Sequence, residues 1–233
     1  MPPSIEDYCN CRTVAGTYEN QVLYRMCAEH VGHDDPYISS GKIISIGRIY
    51  AASPERGAGR APANGYTVPK AIAEQLKTGE LNDKIQEIGF NERTCDDEVL
   101  TKVVNTHTFL VGEIVKAISK WREDNEYGDK PAPRRHASFA SKYLHFHRPN
   151  AFPIMDSLAK TGLRCAGRSK TFRDYKKFCE EFIGYTNERP EGWTPRSVDS
   201  YLVERGRFHD ETKEKNVCKK CEFTLTRKEL VSP

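Results

Sequence analysis

Lys142 and Asp156 lie in the tract FASKYLHFHRPNAFPIMDSLA, residues 139–159. An amine and a carboxylate brought together form a recognisable chemical pair. The amine can attack an electrophilic carbon and form a Schiff base, and the carboxylate can stabilise positive charge that develops there. The spacing predicts a helix over Ala137–His147, on which Ser138, Lys142 and His145 (i, i+4, i+7) share one face while Ala140, Tyr143 and Leu144 turn inward. Pro149 ends that helix because it cannot continue the hydrogen-bond ladder. NAFPIM then reads as an apolar connector, and Asp156 before SLAKTGL reads as a helix N-cap. The bland readings are a solvated lysine on an amphipathic helix and an ordinary capping aspartate, and the residues alone leave both open.

Charge is unevenly distributed around this pair. The whole chain carries a formal charge of only +3, so attraction to phosphate must come from local clustering. Between Lys130 and Met155 stand Lys130, Arg134, Arg135, Lys142 and Arg148, with His136, His145 and His147, and no acidic residue. Arg134, Arg135, His136, Ser138, His145 and Arg148 are the candidates for nucleic-acid backbone contact. Basic surfaces also occur on proteins that bind no particular ligand.

The elements that must position these residues are helices. In EVLTKVVNTHTFLVGEIVKAISKW the apolar positions recur at three-and-four spacing, which predicts the longest helix. KTFRDYKKFCEEFI repeats the pattern; YENQVLYRMCAEHV and VPKAIAEQLK read as earlier helices, as does GKIISIGRIYAA, although its isoleucines also suit a strand. PRSVDSYLVERG is a late helix with its stop expected near Gly206. Breakers at 53–65, 126–135 and 186–193 separate the units. The expected architecture is all-α: one helical domain over residues 1–205 and a polar C-terminal extension over 206–233.

With 37% hydrophobic and 30% charged residues the composition suits a soluble globular protein. No apolar run reaches the roughly 18 residues of a membrane span, and MPPSIEDYCNCRT lacks the layout of a secretory signal. An intracellular location, cytoplasmic (with the nucleoid) or nuclear, is therefore expected, and no membrane partner. In that compartment the eight cysteines read as thiols or metal ligands. Cys218-Lys-Lys-Cys221 has the spacing of half a tetrahedral zinc site. Cys9-Asn-Cys11 supplies the other half if the termini meet, giving a structural zinc; otherwise the four are plain thiols. Cys27, Cys165 and Cys179 fall on helices as small apolar groups.

ASKYLHFHRPNAFPIMD resembles the catalytic segment of the helix–hairpin–helix DNA glycosylases, in particular the 8-oxoguanine DNA glycosylases. Arg148-Pro149, Ala151, Pro153 and Asp156 carry the resemblance, which is strong over residues 137–159. It is weaker at SIGRIYAASPERG and RSVDSYLVERG, which are similar to stretches of small bacterial proteins predicted to share that fold. The resemblance implies a glycosylase-like helical domain acting in base excision repair on damaged or modified duplex DNA. Such an enzyme flips the base out of the stack and cuts its N-glycosidic bond, with strand cleavage at the abasic site if a lysine Schiff base forms. Asp156 takes the place of the family aspartate.

Two departures stand out. The family lysine stands two residues before the small alanine, the place of Ser138 here, whereas Lys142 comes one turn later. YGDKPAPRRH replaces the glycine-rich hairpin, leaving Arg134, Arg135 and His136 to compensate. Lys142 then substitutes for the usual nucleophile, or Asp156 works with water alone, or the fold binds nucleic acid without cutting. A zinc-stapled helical interaction protein is the remaining alternative. The resemblance implies no cofactor for catalysis; the iron–sulfur cluster of some relatives needs four cysteines close together, and only two stand near this C-terminus. Tyr143, Phe139, Phe146, Trp121 and Trp193 are available as platforms for a flipped base, though helical spacing marks most aromatics as core.

Overall fold

Three-and-four apolar spacing becomes helix wherever it falls among the described residues. The computed structural model describes residues 18–56, 58, 67–94, 97–125, 135–169, 171–188 and 195–213, and every regular element among them is an α-helix. In chain order these are α1 (Tyr18–Glu29), α2 (Pro36–Ile49), α3 (Val68–Leu76), α4 (Glu80–Gln86), α5 (Asp97–Asp124), α6 (Ala137–His147), α7 (Ser157–Cys165), α8 (Tyr175–Asn187) and α9 (Pro195–Lys213). None of the described helices is long and apolar enough to cross a membrane.

Local chemistry sets several of the starts. Asp35 caps α2 by accepting from the amides of Tyr37 at 2.8 Å and Ile38 at 3.2 Å, with Pro36 in the first turn where no amide is needed. That cap commits the isoleucine-rich segment to helix from Pro36, ahead of the start read at Gly41. Asp174 caps α8 through the Lys177 amide at 2.8 Å. The seven-residue α4, absent from the periodicity reading, follows Gly79, whose φ of 84° is left-handed backbone that suits glycine.

The 28-residue α5 buries Val103, Leu110, Ile114, Ile118 and Trp121, and α3, α4, α6 and α8 all pack on it. Against α5 on one side, with α1 and α2 on others, α6 is a central helix rather than a surface one. Every residue from Phe139 to Pro149 is buried. Cys27 and Cys179 are buried thiols, as their helical positions imply, and Cys165 is half-buried at the end of α7. Burial pushes the Cys27 thiol up to about 12 despite nearby Lys42, so it remains protonated at neutral pH.

The tightest helix pair is α7 against α9. A Cβ on Gly162 would land on the carbonyl of Leu202, and a Cβ on Gly206 would land on the carbonyl of Leu158. Gly206 is therefore not the helix stop expected from sequence. It lies inside α9, which runs on to Lys213, and its missing side chain lets two backbones touch. The helical domain accordingly continues beyond residue 205.

Candidate active site

The structure brings Lys142 and Asp156 together. The Lys142 Nζ lies 3.3 Å from Asp156 Oδ2, with side-chain exposures of 5% and 18%. Asp156 Oδ1 accepts from the Ala159 amide at 2.9 Å and caps α7. One carboxylate oxygen thus starts a helix while the other holds the amine. Ser138, one turn before Lys142, offers its hydroxyl oxygen to the amine at a long 3.4 Å.

Tyr50, just past the end of α2, completes the amine's surroundings: its ring centroid is 5.5 Å from Nζ, within cation–π range. The ring is fixed by an edge contact to Phe146 at 5.5 Å and by its hydroxyl, which donates to Asn20 Oδ1 at 2.6 Å. Lys160, one helical turn after Asp156, is a second amine near the carboxylate. Partial burial lowers its pKa, as does the neighbouring Arg164, while Asp156 acts in the opposite direction.

The pairing depends on fastening the connector to α6. The ring of His145 is spent on this: Nδ1 donates to the Phe152 carbonyl at 2.9 Å, leaving Nε2 to accept from the Tyr24 hydroxyl at 2.8 Å. The Tyr175 hydroxyl donates to the Pro153 carbonyl at 2.9 Å. Ser141 Oγ accepts from the Met155 amide at 3.0 Å and donates to the Ser138 carbonyl at 3.0 Å. His107 stacks on Tyr175 at a centroid distance of 3.8 Å, and its Nε2 donates to the Ala137 carbonyl at 3.0 Å. Carbonyls at 152 and 153 and the amide at 155 are therefore all held by side chains. Asp156 enters α7 at a defined distance from Lys142.

These contacts correct part of the sequence reading. His145 is interior, with both ring nitrogens engaged, so it does not face phosphate. Arg148 is also interior: its guanidinium donates to the carbonyls of Ile88 at 2.9 Å and His147 at 2.8 Å. Both are candidates in the sequence because they stand in its acid-free basic window, whereas in the structure α6 and its C-cap are covered beyond the first turn. Arg135 is exposed and His136 partly exposed at the start of α6, the latter with a φ of 47°. Ser138 is half-buried. Arg134 lies outside the described residues, as do Cys9, Cys11, Cys218, Cys221 and Trp193. Among the described residues there is no group of three or more His, Cys, Asp or Glu able to hold a metal ion.

Phe139, Tyr143, Phe146 and Trp121 are at most 1% exposed and are core rather than platforms. The aromatic that does meet the amine, Tyr50, carried no signal in the sequence beyond its place in the weaker SIGRIYAASPERG similarity. Ser141 and Tyr175 likewise act across distances that helical spacing does not encode.

Chemically, an amine and a carboxylate in contact at a mostly buried site can exchange a proton, and together they present a nucleophile beside a negative charge. Comparison with protein-family models, with curated proteins and with solved structures gives no match for this chain.

Proposed function

We propose that this chain is a DNA glycosylase of the helix–hairpin–helix kind, excising an oxidised or otherwise modified base that has been flipped from the duplex. The observation that carries the reading is the 3.3 Å approach of Lys142 Nζ to Asp156 Oδ2, reached through the connector that resembles the family's. In this mechanism Asp156 stabilises positive charge on the sugar as the N-glycosidic bond breaks. The Lys142 amine adds to the anomeric carbon as the N-glycosidic bond breaks, the departing base takes the proton that the nitrogen sheds on forming the new bond, and the sugar ring then opens to an iminium. Elimination of the 3′ phosphate from that iminium is the lyase step. Arg135 is exposed and His136 partly exposed at the start of α6, and this reading assigns them to backbone phosphate.

A second reading has its own observation. The 5% side-chain exposure of Lys142 suits a structural ion pair in a fold that binds nucleic acid without cutting it. Borohydride trapping on a duplex containing 8-oxoguanine separates the two. A covalent adduct that disappears in Lys142→Ala supports the lyase mechanism. Alkali-labile abasic sites without an adduct mean hydrolysis built on Asp156. Neither signal over a panel of modified bases, together with salt-dependent duplex binding, moves the assignment to a binding protein.

A further inference from the structure

A different face of α6 carries Tyr143 and His147, and there a second polar cluster is buried. His33, Ser39, Lys42, Tyr143 and His147 are each 0% exposed. His33 Nε2, Ser39 Oγ, the Tyr143 hydroxyl and both ring nitrogens of His147 have no hydrogen-bond partner among the described residues. Native interiors rarely leave polar atoms in this condition, because each loses its hydration without replacement. Here three of the residues that carry such atoms pack ring against ring. The rings of His33, Tyr143 and His147 form a triangle with centroid separations of 5.7 Å (His33–Tyr143), 5.2 Å (His33–His147) and 5.1 Å (Tyr143–His147). Lys42, one turn after Ser39 on α2, donates to the carbonyls of His30 and Gly32 in the loop after α1, which uses two of its three N–H groups.

The donor and acceptor types define what fits among them. His33 Nδ1 donates to Asn82 Oδ1, so His33 Nε2 is a bare lone pair that needs a donor. One nitrogen of a neutral His147 needs a donor as well. The Tyr143 and Ser39 hydroxyls and the third N–H of Lys42 need an acceptor. A metal cation cannot accept from them and is repelled by the ammonium of Lys42. A halide cannot donate to the imidazoles. A water molecule does both.

We propose that His33, Ser39, Lys42, Tyr143 and His147 form a structural water site, holding at least one water shared by α2, α6 and the loop after α1. The imidazole lone pairs are available for it at neutral pH. Burial, then the charge of Lys42, holds His33 down to about 4, and the same causes in the same order hold His147 well below its usual range. Through Asn82 on α4 the site also ties a fourth element to α6. The water completes the packing of the helix that carries Lys142, and the proposal is independent of what Lys142 does.

Diffraction from crystals of the full chain, at a resolution that orders solvent, tests it. The expected result is a density peak within hydrogen-bonding distance of His33 Nε2 and of a His147 ring nitrogen; a map with no peak there overturns the site. Tyr143→Phe gives a second reading, by denaturant unfolding with near-ultraviolet circular dichroism to check the fold. Losing a hydroxyl that holds the water lowers the folding equilibrium constant about fivefold to tenfold. A variant as stable as the parent, or more stable, overturns the proposal, because removing a truly partnerless hydroxyl from a dry core relieves a cost.

Discussion

Two lysines are buried against opposite partners in this fold. Lys142 meets a carboxylate, Asp156, which still has 18% of its side chain exposed. Lys42 donates to the carbonyls of His30 and Gly32 and is 0% exposed. Burial lowers the Lys42 pKa, opposed by the charges of Cys27 and Asp34. A cation held by loop carbonyls in a closed interior serves structure: its removal leaves those carbonyls unsatisfied. A cation held by a carboxylate that keeps some exposure has an acceptor for its proton beside it. The difference between the two amines is thus one of partner rather than of residue type.

The comparison breaks most readily at Asp156. Asp156→Asn keeps an oxygen for the Ala159 amide, so α7 stays capped, while the charge beside Lys142 is lost. On the proposed mechanism, base excision falls about 100- to 1000-fold with the melting temperature little changed, measured by single-turnover cleavage and calorimetry. Unchanged excision would remove Asp156 from the mechanism. Lys42→Met has the converse signature: about 3 kcal/mol less stable in urea unfolding, from two unsatisfied carbonyls, with no loss of covalent trapping per folded molecule. Equal loss of stability in Lys142→Met would erase the distinction drawn here.

Acid sharpens the contrast on the Lys42 side. His33 faces Lys42, Asp34 and Asn82, and its pKa near 4 lies below the value of about 6.5 for an unfolded chain. Burial likewise holds His107 to about 4. The unfolded chain takes up these protons first, so their contribution is complete above pH 6.5 and is lost as pH falls towards 4. The slope approaches 1.4 kcal/mol per pH unit for each histidine. His33→Leu flattens a urea-midpoint profile over that window; an unaltered slope would show that His33 is not a neutral buried group. The smallest effect is at Ser141→Ala, which frees the Met155 amide and costs about 1 kcal/mol. A double-mutant cycle on Lys142 and Asp156 in that background reads whether the pair loosens, without reference to activity. An adduct that persisted in Lys142→Ala would direct substitution next to Lys160, the other amine near Asp156.

Much of the arrangement was legible beforehand because local rules govern it. Helical spacing put Lys142 on α6, Pro149 ended that helix, and the capping preference of aspartate put Asp156 at the start of α7. What failed was the assumption that a helix with polar residues on one face has a wet side. His145 and Arg148 spend their polarity on the carbonyls of Phe152, Ile88 and His147, and backbone carbonyls leave no pattern in a sequence. Tyr50, Ser141 and Tyr175 reach the site from afar or by one hydroxyl each. Gly206 misled because glycine serves both helix endings and close contacts, and only the position of Leu158 distinguishes them.

That contact has a mechanical meaning. Where α7 and α9 cross at Gly162 and Gly206 the spacing of the two backbones is set by the glycines, and any larger residue at either place must push the helices apart. The 19 residues of α9 span about 28 Å at the usual helical rise. A wedge at Gly162 or Gly206 would thus bear on the helix whose first turn is held by Asp156.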